Sequence, residues 1–315
     1  MHVSIAERDL GIAAPGVLRQ EAAWRRRDRR WGWVFIAPQL AGMLLFVLLP
    51  FVASLVLAFA SWNGLSALEW VGLENFREQL ADPLLARAVL NTLLIALVTV
   101  PVGLAIALLL AVALERLRTR SLYLVLFFAP VVTSSVAVAM IWQQMFRQDG
   151  LLAEVIGRAL GITPPDWLNQ PVLALLAVCI VTIWSSVGLN VVIFLAGLQN
   201  ISESVIEAAR LDGAGSLRLM WSVRLPLLSP IIFFSTVIAI ISSLQTFDIV
   251  FLLTANAGPD NATRTIVYHI YDLGFGRFEF GPASAASVLL LVLTLVITGL
   301  QFTAQKRFVH YEEAE

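Results

Sequence analysis

The sequence predicts an all-α polytopic membrane protein with six transmembrane helices. Of its 315 residues, 59% are hydrophobic and only 14% are charged, whereas a soluble chain carries about 25% charged residues. Six windows lack charged side chains over the roughly 20 residues that a helix needs to cross the hydrocarbon core. These windows must be helical, because backbone amides in lipid have no water to bond.

The six spans follow one another along the whole chain. They are expected near residues 33–60, 88–114, 121–146, 171–198, 228–252 and 282–305. Four prolines, Pro38, Pro50, Pro101 and Pro130, fall inside or at the edges of these windows. Prolines are tolerated there where neighbouring helices satisfy the freed carbonyls.

Basic residues predict the orientation of the spans. The side that holds both termini and the loops 115–120 and 199–227 carries 15 arginines and lysines, and the other side carries six. An excess of basic residues marks cytoplasmic loops, so both termini are expected in the cytoplasm. The outer segments are then 61–87, 147–170 and 253–281.

The ends of the chain and the outer segments complete this plan. A basic run from Arg25 to Arg30 leads into a long uncharged stretch, which predicts a retained anchor and not a cleaved signal peptide. We therefore expect a cytoplasmic segment at 1–30, a membrane domain at 31–308 and a tail at 309–315. On the outer face, residues 72–82 are predicted to form a small amphipathic helix.

The composition argues against several kinds of chemistry. Cys179, the only cysteine, lies in an apolar window, so neither an internal disulfide nor a thiolate metal cluster can form. His2, His269 and His310 are scattered outside the spans. The sequence has no GxxxxGK[ST] phosphate-binding loop, so any ATP must be bound by another polypeptide. A net charge of −1 offers no basic surface for nucleic acid.

The segment between the fourth and fifth spans predicts a helix that ends in a turn. Ser204 and Glu207 have the spacing of a capping box at the helix start. Glu207 and Arg210, three residues apart, can pair on one face. Gly213 and Gly215 supply the backbone freedom that the turn requires.

A second helix is predicted after that turn. Ser216 is placed to cap it, and an apolar stripe follows at helical spacing, formed by Leu217, Met220 and Trp221. Pro226 is expected to end this helix before the fifth span. From these residues alone, the segment also fits an interfacial amphipathic loop that binds no partner.

This segment resembles the EAA loop of ABC importer permeases. The matching positions are Glu207-Ala208-Ala209, Gly213, Val223 and Leu225-Pro226, with Val223 where the family usually has isoleucine. Further stretches resemble sugar and glycerol-phosphate permeases of the MalF type, and the resemblance covers about residues 33–305. They include 129–137, 141–146, 183–184, 195–199 and 247–248. One departure is the stretch 253–259, where the family usually has a run of glycines before the proline.

The resemblance implies the type I ABC importer permease fold, with a carbohydrate as solute: a sugar, an oligosaccharide or glycerol phosphate. It implies a coupling loop at 201–226 that contacts a separate ABC ATPase dimer, which binds the ATP. Further expected partners are a second, MalG-like permease subunit, an extracytoplasmic solute-binding protein and the lipid of a prokaryotic cytoplasmic membrane. The implied coupling residues are Glu207, Ala208, Ala209, Arg210, Asp212, Gly213, Leu225 and Pro226.

Polar side chains within the spans are candidates for the solute path, because they are costly in lipid and usually face the interior of the bundle. The candidates are Trp184, Asn190, Ser242, Gln245, Thr246 and Asp248. Ser242, Gln245 and Thr246 have the spacing of one helical face, and neutral hydroxyls and amides beside aromatic rings suit a sugar. Single hydroxyls also commonly bond their own backbone, and Asp248 could instead anchor a loop.

Three other classes of protein stay open at this point. An ion-coupled secondary transporter would need an ionisable group at mid-membrane, and five of the six windows have none. A membrane enzyme would need converging catalytic groups. An assembly subunit without a solute path is disfavoured only weakly, by the polar residues of the fifth window.

Overall fold

The computed structural model describes residues 31–161 and 165–308. The segment 1–30, the tail 309–315, His2 and His310 lie outside the described residues. The chain divides into two compact units, with the boundary between Val56 and Leu57. The first unit contains all but the last residue of helix α1 (Trp31–Leu57). Its 27 residues extend about 40 Å, enough to cross a bilayer core.

The described residues of the second unit form helices and one short β-ribbon. The ribbon pairs β1 (Ala60–Ser61) with β2 (Glu69–Trp70) in antiparallel fashion. The helices are α2 (Glu74–Ala81), α3 (Pro83–Glu115), α4 (Arg120–Val132), α5 (Ser135–Phe146), α6 (Leu151–Leu160), α7 (Pro171–Gln199), α8 (Glu203–Leu211), α9 (Ser216–Leu244), α10 (Asp248–Leu253), α11 (Ile266–Tyr271) and α12 (Phe280–Phe308).

Five helices of the described chain, α1, α3, α7, α9 and α12, are long and apolar enough to cross a membrane, and a bent pair makes a sixth span if it counts as one. That pair is α4 and the stretch Ser135–Val155, which contains α5 and the start of α6, and the two are bent by 99°. The single helix predicted for 121–146 is therefore wrong. Thr133 and Ser134 are extended, with ψ of 139° and 131°, and Pro130 has already removed one backbone donor from the preceding turn.

The fifth span also differs from its predicted bounds. The structure begins α9 at Ser216 and ends it at Leu244, so the window predicted at 228–252 holds two helices. The sequence predicts that Pro226 ends a helix, and this is wrong. The helix continues because the π-helical turn Met220–Arg224 precedes the proline and the Leu225 N–H bonds to the Met220 carbonyl. This wider turn moves the carbonyls away from the proline ring.

The same arrangement occurs in α1. A π-helical turn at Leu44–Leu48 precedes Pro50, and the Leu49 N–H bonds to the Leu44 carbonyl. Both prolines follow a leucine. A π turn followed by Leu-Pro therefore lets each of these helices continue through its proline.

The core of the second unit forms around α3 and α7. Ala107, Val191 and Leu228 belong to one buried cluster, which joins α3, α7 and α9. Gly188 brings α4 against α7, because a Cβ there would lie 1.9 Å from the Phe127 carbonyl oxygen. Small residues at such crossings are typical of membrane helices, which gain stability from close packing.

We call the segment Glu203–Arg224 the elbow, and the end of the second unit opposite to it the far side. Helix α2, predicted as a small amphipathic helix at 72–82, forms on the far side and buries two polar residues, Asn75 and Gln79. The Asn75 amide donates to the Ala58 and Ala60 carbonyls at 3.0 and 2.9 Å, and Leu73 and Leu80 are exposed. The helix is confirmed, and these hydrogen bonds attach it together with the contact between the Phe76 and Phe59 rings, whose centroids are 5.2 Å apart.

The segment with the glycine departure is strained. Ala255, Asn256 and Ala257 have φ of 35°, 50° and 66°, the left-handed region that favours glycine. Gly258 continues the run with φ of 72°. The backbone thus adopts a glycine-type conformation with other residues in place.

Candidate functional site

A cavity of about 350 Å³ lies among α3, α4, α5, α7 and α9. Its polar lining consists of Thr99, Thr133, Ser135, Thr182, Ser185, Ser186, Asn190, Ser235, Ser242 and Ser243. None of the described residues that line it is charged. The cavity therefore offers hydroxyl and amide groups in an otherwise apolar wall.

Some of these hydroxyls are used within their own helices and others are not. Ser185 Oγ donates to the Val181 carbonyl at 2.8 Å, and Asn190 Nδ2 donates to the Ser186 carbonyl at 3.2 Å. Thr182 Oγ1 and Ser235 Oγ are buried without a hydrogen-bond partner in the described chain. An unsatisfied buried hydroxyl costs free energy, so these two residues give the wall hydrogen-bonding capacity that the described chain leaves unused.

The structure brings only some of the sequence-predicted candidates to this cavity. Asn190 and Ser242 line it, whereas Gln245 is exposed beyond the end of α9 with φ of −99° and ψ of 11°. The shared face predicted for Ser242, Gln245 and Thr246 is wrong, because the helix ends at Leu244. The sequence analysis missed Thr99, Thr182 and Ser235, which also line the cavity. Each is a hydroxyl residue in an apolar window, and the sequence does not show which way such a side chain points.

The other three candidates surround the cavity without lining it. Asp248 Oδ2 accepts from Ser135 Oγ at 2.6 Å, and so joins the starts of α10 and α5. The Thr246 carbonyl accepts from Thr265 Oγ1 at 2.8 Å. Trp184, 44% exposed, meets the Trp142 ring edge-on at 5.6 Å. Asp248 therefore has the geometry of an anchoring carboxylate.

The first helix of the elbow, α8, begins at Glu203 with Ser202 at its N-cap position. The predicted capping box is wrong, because Ser204 lies inside the helix and its Oγ instead contacts Ser202 Oγ at 2.7 Å. The predicted pair of Glu207 with Arg210 is not among the ion pairs of the described residues. Both side chains line a groove of about 430 Å³.

The turn of the elbow depends on Gly213. Its φ of 79° is left-handed, its N–H bonds to the Arg210 carbonyl, and the Ala214 N–H bonds to the Ala209 carbonyl, both at 3.0 Å. This bond pair closes the helix as a Schellman motif. Gly215, in contrast, is extended with φ of −70°, and it occupies the N-cap position expected for Ser216.

The elbow exposes most of its motif and several large apolar side chains. Glu207, Ala208, Arg210, Asp212 and Gly213 are exposed, and Leu225 and Pro226 are half-buried. Leu211 is 89% exposed and Trp221 is 70% exposed, with Leu217 also uncovered. Exposed apolar residues grouped in this way mark an interaction surface.

On the far side, a buried histidine ties three elements together. His269 is fully buried; its Nδ1 accepts from Arg264 Nε at 3.3 Å, so its Nε2 carries the proton and donates to Gln79 Oε1 at 2.9 Å. Burial, followed by the charge of Arg264, lowers the pKa of His269 to about 4. The neutral imidazole thus fixes α11 against α2.

Comparison with known proteins agrees with this architecture. A solved bacterial alginate ABC transporter, in complex with an alginate pentasaccharide-bound periplasmic protein, contains a chain that matches 90% of this one with a TM-score of 0.79 and 23% identity, over 97% of its own length. At that identity the match shows a common fold. The fold defines a multi-pass helical membrane protein.

Relatives in sequence show which kind of membrane protein this is. The probable ABC transporter permease protein YesP of Bacillus subtilis is 35% identical over 92% of this chain and 95% of its own. The lactose transport system permease protein LacF of Rhizobium radiobacter is 36% identical over 87% and 94%. Residues 100–310 match the model of the binding-protein-dependent transport system inner membrane component.

The chain therefore belongs to the family of inner membrane components of binding-protein-dependent transport systems. It is an ABC transporter permease subunit, a transport component without an ATPase site of its own. The ion-coupled alternative is not favoured by this membership.

Proposed function

We propose that this chain forms one half of the membrane pathway of an ATP-driven importer for a neutral carbohydrate. One chain of this size encloses half a pathway, so a second, MalG-like permease subunit would supply the rest. An ABC ATPase dimer would contact the elbow, and an extracytoplasmic solute-binding protein would deliver the solute to the far side. The elbow and both termini then lie in the cytoplasm of a prokaryote.

The observation that carries this proposal is the exposed elbow. Leu211, Leu217 and Trp221 stay uncovered although the adjoining Leu219 is buried, which fits a surface completed by another subunit. The Gly213 turn holds α8 at a fixed angle to α9. Because α9 continues through Pro226 without a break, a push on the elbow would reach the cavity along one rigid helix.

The cavity supports a neutral carbohydrate among the possible solutes. Asn190 and the two unsatisfied hydroxyls, Thr182 and Ser235, offer hydrogen bonds without charge. The lactose relative fits this lining. An anionic solute such as glycerol phosphate or alginate would find no cation among the described lining residues.

The coupling role is tested by a matched pair of glycine variants. A Cβ at Gly213 or at Gly215 meets no atom within 4 Å, so the two positions differ mainly in φ. Gly213→Leu should retain ATP hydrolysis and lose uptake, because a left-handed non-glycine residue costs about 1–2 kcal/mol and the turn shifts. Gly215→Ser, a favoured N-cap residue, should transport normally.

The measurement uses the complete importer in proteoliposomes, with lactose, an alginate oligosaccharide and glycerol 3-phosphate as probes. Normal uptake by Gly213→Leu would refute the coupling role. Uptake of an anionic probe in preference to lactose would refute the neutral solute.

A further inference from the structure

A buried ion pair joins the elbow to α3. Arg224, the last residue of the π turn, donates from Nη1 to Glu115 Oε2 at 2.7 Å, and the two side chains are only 7% and 17% exposed. Glu115 is the last residue of α3. We call this ion pair the tie.

Neither member of the tie forms a second ion pair within the described residues. Glu115 is the only ion-pair partner of Arg224 there, and Arg224 Nε is buried without a hydrogen-bond partner. Removing one member of such a pair leaves a buried charge and is strongly destabilising, whereas replacing both by apolar residues is often neutral. Stability alone therefore does not account for the pair.

The same two helices are joined again in the wall of the cavity. Thr99 Oγ1 of α3 and Ser243 Oγ of α9 are 3.4 Å apart. At 1.5 Å per residue, Thr99 lies about 24 Å along α3 from Glu115. Leu104 of α3 and Ile238 of α9 line the cavity between these two links. Helices α3 and α9 are thus linked at two points, and part of the cavity wall lies between these points.

We propose that the tie makes α3 and α9 move as one lever, so that displacement of the elbow moves two walls of the cavity together. Without the tie, α3 would follow the elbow only through the apolar cluster that it shares with α9 and through Thr99 and Ser243, so its wall should move less than that of α9. This inference rests on the proposed coupling role of the elbow. It assigns Glu115 and Arg224 as positioning residues that act through the helices and do not touch the solute.

The test follows the two cavity walls separately. In the complete importer with Cys179→Ala, a cysteine is placed at Leu104 or at Ile238, and its labelling by a membrane-impermeant maleimide is compared with and without ATP and vanadate. With the tie intact, labelling at both positions should change with nucleotide. In the double variant Glu115→Met/Arg224→Met, the change at Ile238→Cys should persist and that at Leu104→Cys should fall at least fivefold.

The remaining variants separate the tie from folding and from the elbow itself. The double methionine variant should assemble at a normal level, since no buried charge is left. If it fails to assemble, the charge-swapped Glu115→Arg/Arg224→Glu variant takes its place and should move both walls. Arg118→Gln, exposed at the same helix end, is the control and should behave as the parent.

Two outcomes overturn the inference. They are an undiminished nucleotide response at both walls in the double methionine variant, and a response at one wall only in a charge-swapped variant that assembles. A parent importer in which neither wall responds would instead refute the coupling role of the elbow. The two proposals therefore fail in different ways.

Discussion

Substitution of Gly188 tests whether the wall of the cavity depends on close contact between α4 and α7. In Gly188→Ala, the new Cβ would lie 1.9 Å from the Phe127 carbonyl oxygen and 2.6 Å from its carbon. Both atoms belong to the backbone, so no rotamer change can relieve the clash. An unstrained carbon–oxygen contact is about 3.3 Å, so the helices must part by roughly 1.4 Å.

This separation has an energetic and a functional cost. Overpacking of a close contact costs about 1–3 kcal/mol. Pro130 and Val131, three and four residues beyond Phe127, line the cavity, so displacement of α4 also changes its shape. We expect Gly188→Ala to lower both the unfolding temperature of the detergent-solubilised complex and the rate of solute uptake.

Gly103→Ala is the matched control. Gly103 lines the same cavity from α3, but a Cβ there meets only Ser186 Oγ at 3.9 Å, an ordinary contact. This variant should unfold and transport as the parent does. If Gly188→Ala were indistinguishable from Gly103→Ala in both measurements, the α4–α7 contact would not limit the cavity and the reasoning would be refuted.

Three further predictions concern the cavity and the far side. Ser235→Ala should raise stability by about 1 kcal/mol, since it removes an unsatisfied buried hydroxyl, yet raise the KM for uptake, whereas Ser185→Ala, whose hydroxyl is bonded within its helix, should leave KM unchanged. Ala255→Gly should stabilise the far side by about 0.5–1 kcal/mol by relieving its positive φ, and Ala257→Gly should gain less because it deletes a buried methyl group. His269, with its pKa lowered to about 4 from an ordinary 6.5, should supply stability that is complete above pH 6.5 and is lost as the pH falls towards 4, by up to about 3 kcal/mol.

Each of these three predictions would be contradicted by a particular result. An unchanged KM in Ser235→Ala would remove that hydroxyl from the solute path. If Ala255→Gly were no more stable than the parent in chemical unfolding, the positive φ of Ala255 would not be strained. The difference in stability between pH 7 and pH 5 should disappear in His269→Gln. If the difference persists in that variant, it comes from other titratable groups.

Hydropathy and spacing were enough to predict the long helices and the elbow. They could not place the break at Thr133 and Ser134, because the window 121–146 stays apolar while only backbone dihedrals change there. For the same reason the end of α9 at Leu244 was missed, and with it the position of Gln245. A window average records which segment prefers lipid, not where the chain turns inside it.

The sequence also could not show which way individual polar side chains point. The sequence marks Asn75 as polar in a short helix, which usually predicts a solvated face, but its amide is buried against two carbonyls. Gly213 was predictable because only its type of residue fits a left-handed turn. Ser235 was not, since a hydroxyl in an apolar helix gives no sign of whether it meets a cavity, a neighbour or lipid.

The π turn at Met220–Arg224 has a geometric consequence for the direction in which the elbow points. It contains one residue more than an α-helical turn would need, and each residue of an α-helix advances the chain by about 100°. Because the i→i−5 bond lets the five residues of this turn cover about the arc of four residues in an α-helix, deletion of one of them would leave the helix before the turn and the rest of α9 in nearly the same relative orientation. The extra residue therefore accommodates Pro226 without changing the direction of the elbow.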